Sequence, residues 1–244
     1  MQSVIPKNVN HVDSNVRAFF PDQNKIETEN GEINYDALVI ATGIELAFDQ
    51  IDGAQDALDN DPRCVSNYSP VYVNNTYPAI QSFTGGNAVF TQPPQPFKCA
   101  GAPQKIMWIA NDIWTEKKIN ANIQMHTAAP SIFGVAKYAN ELNKLVKARN
   151  INLTTESNWC GIDHTKSKRT KLNLLKACKL QVVIKHFLGE AYFKQMKDGS
   201  ILTVPYDFIH VTPPQRPISV LREAGDDLTT GGFVSVNKVY SIFC

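Results

Sequence analysis

Cys99 is the residue whose type and surroundings are best suited to chemistry. It lies in a proline-rich loop, residues 92–102, and Pro103 after it fits the first position of a helix. The amino end of a helix favours an anion, and Lys98 and Lys105 add positive potential. These conditions favour the thiolate, which is the nucleophilic form of cysteine. We therefore predict a reactive thiol at Cys99, while a buried structural cysteine is the commoner alternative for this residue type.

The other cysteines and the histidines carry weaker signals. There are five cysteines, without a CxxC pair or a zinc-type spacing, so we predict no metal site. An odd count in a chain of 244 residues argues against a secreted disulfide scaffold. Cys64 is interpreted as a packing residue, and His210 as a packed residue of a strand.

Composition excludes several function classes. The net charge is +1, so no strong field draws the chain to nucleic acid, and we predict no nucleic-acid partner. Hydrophobic residues make up 43% and charged residues 19%, which is ordinary for a globular protein. No run in the sequence approaches the ~18 apolar residues of a membrane span.

Residues 12–43 read as β-structure. Asn30-Gly31 suits a tight hairpin turn. Residues 36–43, Asp-Ala-Leu-Val-Ile-Ala-Thr-Gly, have an apolar centre that predicts a strand buried on both faces of a parallel sheet. Thr42 and Gly43 end this strand, where open α/β sheets bind their ligands.

A second unit follows, in which strands alternate with helices. Residues 85–160 are predicted to form a parallel βαβαβ layer, because short apolar strands alternate with helical periodicity. The first helix is expected over residues 103–117 and the second over 134–149. A further strand is expected at 206–212, and the pattern between 159 and 203 predicts no definite structure.

Three segments resemble a known family. Residues 36–43 are similar to the strand-plus-Ala-Thr-Gly signature of FAD-dependent pyridine nucleotide-disulfide oxidoreductases. Residues 90–105, Phe-Thr-Gln-Pro-Pro-Gln-Pro-Phe-Lys-Cys-Ala-Gly-Ala-Pro-Gln-Lys, resemble the active-site loop of sulfide:quinone oxidoreductases. Residues 210–214, His-Val-Thr-Pro-Pro, match the return crossing into the flavin domain. The chain thus resembles sulfide:quinone oxidoreductases of the eukaryotic mitochondrial type, over residues 3–158 and 204–238.

The resemblance implies an α/β fold with two Rossmann-like domains of the FAD/NAD(P)-binding type, the first one incomplete. The implied domains are a partial FAD-binding domain at 1–70, a second Rossmann-like domain with Cys99 at 71–205, and a return segment to the FAD domain at 206–244.

The resemblance also implies a chemistry. FAD is the expected cofactor, with Val16 beside the adenine and Thr42 and Gly43 at the flavin site. Cys99 is expected to be one of a redox pair: hydrogen sulfide attacks a disulfide, a persulfide remains on one sulfur, and the electrons pass through FAD to ubiquinone. The implied sulfur acceptor is a small thiol or sulfite. The implied location is the mitochondrion, with inner-membrane association in the full-length parent alone.

Two features of the family are missing from this sequence. It contains no GxGxxG motif, and the second redox cysteine is expected beyond residue 238. We therefore expect a fragment that does not bind FAD tightly by itself. The alternatives are a non-catalytic remnant that binds a partner, and an NADH:quinone-type flavoprotein, which needs a second GxGxxG after the strand ending near Thr91.

Overall fold

A computed structural model of the chain describes residues 5–165, 167–173, 181–187, 189–225 and 228–236. The chain divides into two compact units, one comprising residues 1–45 and 216–244, the other residues 46–215. The domain boundaries that the sequence predicts at residues 70 and 205 stay predictions.

The strands and helices have the following bounds. The strands are β1 (Val16–Phe20), β2 (Lys25–Thr28), β3 (Gly31–Asn34), β4 (Glu45–Leu46), β5 (Cys64–Val65), β6 (Gly86–Gln92), β7 (Ala121–Thr127), β8 (Asn152–Thr154), β9 (Ser157–Asp163), β10 (Ser167–Asn173), β11 (Gln181–Phe187), β12 (Gly189–Gln195), β13 (Ile201–Tyr206), β14 (Phe208–His210), β15 (Gln215–Arg216), β16 (Thr229–Thr230) and β17 (Phe233–Val234). The helices are α1 (Ala54–Asn60), α2 (Val73–Ser82), α3 (Ala102–Glu116), α4 (Ala136–Ala148) and α5 (Ser219–Arg222).

The first unit is built on the antiparallel sheet β1-β2-β3. The predicted hairpin at Asn30-Gly31 is confirmed: Thr28 pairs with Gly31, whose φ of 124° is a conformation that glycine adopts readily. The two chain segments of this unit are joined by Glu45, whose carboxylate lies 2.7 Å from Arg216 and 2.8 Å from Arg222. Hydrogen bonds from these two guanidinium groups lower the Glu45 pKa to about 2.

The strand predicted over residues 36–43 is wrong, because these residues form no strand. Val39 is 87% exposed, and Leu38 and Ile40 are half-buried. All three border a hollow of about 510 Å³ together with Leu228 and Val234. The segment is therefore only partly buried. A strand buried on both faces needs hydrogen-bonded neighbours, and no described strand pairs with this segment.

The second unit contains a five-stranded sheet in the order β5-β14-β6-β7-β8. All four neighbouring pairs are parallel. Helix α3 connects β6 to β7, and α4 connects β7 to β8. The predicted parallel βαβαβ layer is confirmed, and with it the α/β fold class and the helix expected after Pro103.

Alternation along the central strands divides the core between the two faces of this sheet. Phe90 and Phe208 pack with Trp114 of α3 on one face, where the Phe90 and Phe208 ring centroids are 5.6 Å apart. Val89 and Ile209 face a second antiparallel sheet, β13-β12-β9, and join its core. The region that the sequence left unassigned therefore supplies one of the two layers.

Candidate functional site

The candidate site lies at the carboxyl edge of the parallel sheet, where α/β folds bind their ligands. Strand β6 ends at Gln92 and leads directly into the loop that carries Cys99, and α3 begins at Ala102. The adjacent strand β14 ends at His210 and continues through Thr212, whose N–H donates to the Thr91 hydroxyl at 2.9 Å. The carboxyl ends of β6 and β14 are thus linked to each other where the Cys99 loop begins.

Cys99 is solvent-exposed and lies just before α3. Its φ is 60°, in the left-handed region that residues with a side chain rarely occupy. Its carbonyl oxygen accepts a hydrogen bond from the Ala102 N–H at 2.9 Å, which closes a turn into the helix. The predicted position of Cys99 in the loop just before a helix is confirmed; its reactivity and its role in a reaction stay predictions.

Two side chains from other segments contact the backbone of Lys98, the residue that precedes Cys99. The Lys98 N–H donates to Gln215 Oε1 at 2.6 Å. The Tyr68 hydroxyl approaches the Lys98 carbonyl oxygen at 3.4 Å. Burial raises the pKa of the Tyr68 hydroxyl, and the nearby Cys99 sulfur raises it further, so the phenol is neutral and can donate.

The segment that places Tyr68 is fixed to the end of β14. Ser66 Oγ donates to the Val211 carbonyl oxygen at 2.8 Å. The Asn67 N–H donates to His210 Nε2 at 3.1 Å, so the ring proton of the neutral histidine is assigned to Nδ1. Burial lowers the His210 pKa to about 3, and the prediction of a packed strand residue is confirmed.

The sequence did not single out Tyr68 and Gln215. Tyr68 lies within residues 3–158, one of the two ranges over which the sequence resembles the family, and that resemblance was its one signal. Gln215 had no signal, because its contact with Lys98 joins residues 117 positions apart.

The remaining described cysteines do not approach Cys99 as disulfide partners, and Cys64, Cys99 and Cys160 are all free thiols. Cys64 is 2% exposed, and burial raises its pKa, which fits the predicted packing role. Cys160 is half-buried, its Sγ lies 3.3 Å from the Tyr192 carbonyl oxygen, and burial raises its pKa. Cys178 and Cys244 lie outside the described residues.

The predicted flavin-contact residues belong to the first unit. Val16 is half-buried on β1, opposite Thr28 and beside an irregularity in the strand pairing. Thr42 and Gly43 are exposed, and Gly43 has a φ of 75°. No described atom lies within 4 Å of the position that a Gly43 Cβ would take, so its backbone is open to close approach. Thr42 and Gly43 do not end a strand as predicted, and contact with FAD stays a prediction for all three residues.

The described residues contain neither a candidate metal cluster nor a candidate membrane-spanning helix. Across the described ranges, no group of three or more His, Cys, Asp or Glu side chains could hold a metal ion. No helix within those ranges has the length and apolar character needed to cross a bilayer.

Comparisons with known proteins identify the relatives of the chain. No protein-family model matches it. It is 36% identical over 240 residues to the mitochondrial sulfide:quinone oxidoreductase of Mus musculus, covering 97% of this chain and 48% of the relative. It is 35% identical over 230 residues to the enzyme of that name from Schizosaccharomyces pombe, covering 91% and 45%.

The chain is homologous to about half of a mitochondrial sulfide:quinone oxidoreductase. The family resemblance that the sequence motifs indicated is thereby confirmed. The homologous region includes nearly the whole of the 244-residue chain, and so includes the Cys99 loop within the larger unit.

Solved structures support the fold alone. The sulfide:quinone oxidoreductase of Aquifex aeolicus superposes with a TM-score of 0.67 at 18% identity, covering 93% of this chain and 48% of that one. A chain in the structure of the Tetrahymena thermophila mitochondrial ATP synthase gives 0.66 at 19% identity, covering 97% and 54%. Both agree with the predicted Rossmann-type α/β class.

Proposed function

We propose that the chain is part of a sulfide:quinone oxidoreductase, which oxidises hydrogen sulfide through a cysteine persulfide and FAD and reduces ubiquinone. The observation that carries the proposal is Cys99, an exposed thiol at the carboxyl edge of a parallel sheet and at the start of α3, in a chain homologous to enzymes of that name. Exposure lets a small nucleophile reach the sulfur, and the sulfur lies in the loop that leads directly into α3.

The sulfur step is thiol–disulfide exchange at Cys99. When Cys99 is in a disulfide, hydrosulfide attacks one of its two sulfurs, the S–S bond breaks, and the other sulfur leaves as a thiolate. The attacked cysteine then carries a persulfide, whose outer sulfur passes to a small thiol or to sulfite. The described cysteines contain no partner for Cys99, so the second sulfur of the pair is not assigned.

FAD supplies the two-electron chemistry that links the thiolate to ubiquinone. In this chain, the open left-handed turn at Thr42-Gly43 and the strand position of Val16 would hold part of the cofactor. The first unit is proposed to belong to the FAD-binding domain and the second to carry the redox loop. A mitochondrial location is proposed from the names of the relatives, with attachment to the inner membrane in the complete protein.

The test is the persulfide itself. The 244-residue chain is converted to a Cys99 mixed disulfide with glutathione disulfide, freed of excess reagent and treated anaerobically with sulfide. We expect mass spectrometry to find a persulfide on Cys99, because the exposed sulfur is open to attack. Cys99→Ser should lose the product, and the matched Cys160→Ser variant should retain it. A persulfide that forms equally well in Cys99→Ser would contradict the proposal.

Turnover is tested in the protein of full family length that contains this chain. Sulfide and decylubiquinone are added anaerobically, and quinone absorbance is followed. We expect quinone reduction that Cys99→Ser abolishes and Cys160→Ser preserves. Full activity of the Cys99→Ser protein would remove Cys99 from the mechanism.

A second candidate is a non-catalytic binding module. One observation favours it: a chain of this fold, 19% identical, is found in the structure of a mitochondrial ATP synthase. A module of that kind needs neither flavin nor a reactive Cys99. Persulfide formation at Cys99 together with quinone reduction would exclude it, and their joint absence would favour it.

A further inference from the structure

The backbone of Cys99 adopts a conformation that is unfavourable for a residue with a side chain. Its φ of 60° places a residue with a side chain in the left-handed region. That conformation is unfavourable for a residue with a Cβ atom, and it persists where the surrounding structure holds it. The Ala102 N–H holds the carbonyl side of Cys99, and contacts of Lys98 hold the segment before it.

The strongest contact of that kind is the one between Lys98 and Gln215. At 2.6 Å, the bond from the Lys98 N–H to Gln215 Oε1 is short for an N–H···O hydrogen bond. It fixes the amide of Lys98, the residue directly before Cys99, so a shift of the Lys98 backbone changes the direction of the Cys99 side chain. The Tyr68 hydroxyl lies on the carbonyl side of the same residue, at 3.4 Å.

Gln215 is itself well fixed. It is 9% exposed and follows Pro213-Pro214, whose rings restrict the backbone. The Pro214 carbonyl oxygen accepts from the Ala47 N–H at 2.9 Å. Gln215 Nε2 has no hydrogen-bond partner among the described residues, so the buried carboxamide engages through its oxygen.

We propose that Gln215 is a positioning residue for Cys99: by accepting the Lys98 N–H, it holds the loop in the turn that carries the exposed thiol just before α3. The proposal rests on the function proposed for Cys99 as the reacting thiol. Gln215 does not touch the reacting atoms and acts through the backbone of Lys98.

The test uses Gln215→Met in the 244-residue chain, since methionine keeps the length of the side chain and removes the acceptor. Hydrogen exchange of the Lys98 amide is measured by NMR, and iodoacetamide labelling of Cys99 is measured from pH 6 to 9. We expect Lys98 exchange to become about fivefold faster, the effect of one typical hydrogen bond. Cys99 labelling at neutral pH should slow by about threefold, because the turn that carries the thiol before α3 loosens.

Two variants serve as controls. Gln215→Glu retains an acceptor oxygen and should restore protection of the Lys98 amide. Gln195→Met makes the same substitution at a glutamine that binds Ser157, at 2.9 Å, and should change neither measurement. Slow labelling of Cys64 verifies that each variant is folded.

The outcomes separate the proposal from the proposed function. Unchanged Lys98 exchange, or changed exchange with an unchanged Cys99 profile, in folded Gln215→Met would overturn the positioning role. If that variant does not fold, a Lys98 amide that exchanges as fast as a free peptide in the unmutated chain overturns it equally. Failure of persulfide formation while both expected changes occur would refute the function and leave the positioning role standing.

Discussion

The three cysteines that the structure describes differ in exposure, and exposure should decide the order in which they react. Cys99 is exposed, Cys160 is half-buried and Cys64 is 2% exposed. Burial also raises the pKa of Cys160 and of Cys64, which lowers the thiolate fraction of both at neutral pH. A small alkylating agent should therefore distinguish them.

We expect limiting iodoacetamide to label Cys99 first, Cys160 next and Cys64 last. Labelling of a buried thiol requires local opening, so the Cys99 rate should exceed the Cys64 rate by at least about 100-fold. Peptide mass spectrometry over a time course measures the order, and labelling in urea gives the unfolded reference. Labelling of Cys64 as fast as Cys99 under native conditions would contradict the described core.

At the scale of the elements, two parallel strands each carry a buried histidine. His210 on β14 accepts from the Asn67 N–H, and His126 on β7 lies 3.2 Å from Ser157 Oγ, stacked on Phe193. Burial lowers the pKa of His210 to about 3 and of His126 to about 4. Both strands thus hold neutral imidazoles that join the central sheet to its surroundings.

We expect this unit to lose stability as the pH falls. An unfolded histidine has a pKa of about 6.5, so below that pH the unfolded chain binds protons that the folded chain excludes. Stability is therefore full above about pH 6.5 and declines toward pH 4, by at most about 1.4 kcal/mol per pH unit for each histidine. Urea unfolding at pH 7.5, 6.0 and 5.0 measures this slope.

A pair of variants tests whether His210 contributes to the pH dependence of the free energy of unfolding. His210→Gln should reduce the pH dependence of the free energy of unfolding, because one excluded proton is lost. His11→Gln, at an exposed position, should leave it unchanged. A slope in His210→Gln equal to that of the unmutated chain would show that His210 is not the buried neutral group.

At the scale of the whole molecule, the sequence lacks a motif that commonly holds the pyrophosphate of a dinucleotide. The backbone at Gly43 is open, but the sequence has no GxGxxG motif to bring a helix N-terminus and backbone donors to a pyrophosphate. Even with the proposed contacts of Val16, Thr42 and Gly43, the pyrophosphate would lack this motif. The chain also spans about half the length of its curated relatives.

We expect the 244-residue chain, purified and incubated with FAD, to retain less than about a tenth of an equivalent after desalting, since the pyrophosphate lacks its usual donors. The flavin absorbance band, recorded per mole of chain, measures retention, and the protein of full family length is the control. Stoichiometric retention by the 244-residue chain would show that another set of residues binds the pyrophosphate.

The sequence by itself determined the features that depend on neighbouring residues. The helix after Pro103, the alternating strands of residues 85–160 and the hairpin at Asn30-Gly31 follow from local periodicity and turn chemistry. The Cys99 loop could be recognised for a similar reason, because the motif that resembles the family lies within residues 90–105.

Tertiary structure alone decided what depends on distant partners. Residues 36–43 have the composition of a buried strand, yet a strand forms only beside neighbours, and no described strand pairs with them. The layer β13-β12-β9 and the bond from Lys98 to Gln215 join segments far apart in the chain. Such pairings are selected by the free energy of the whole packed unit, which no local pattern contains.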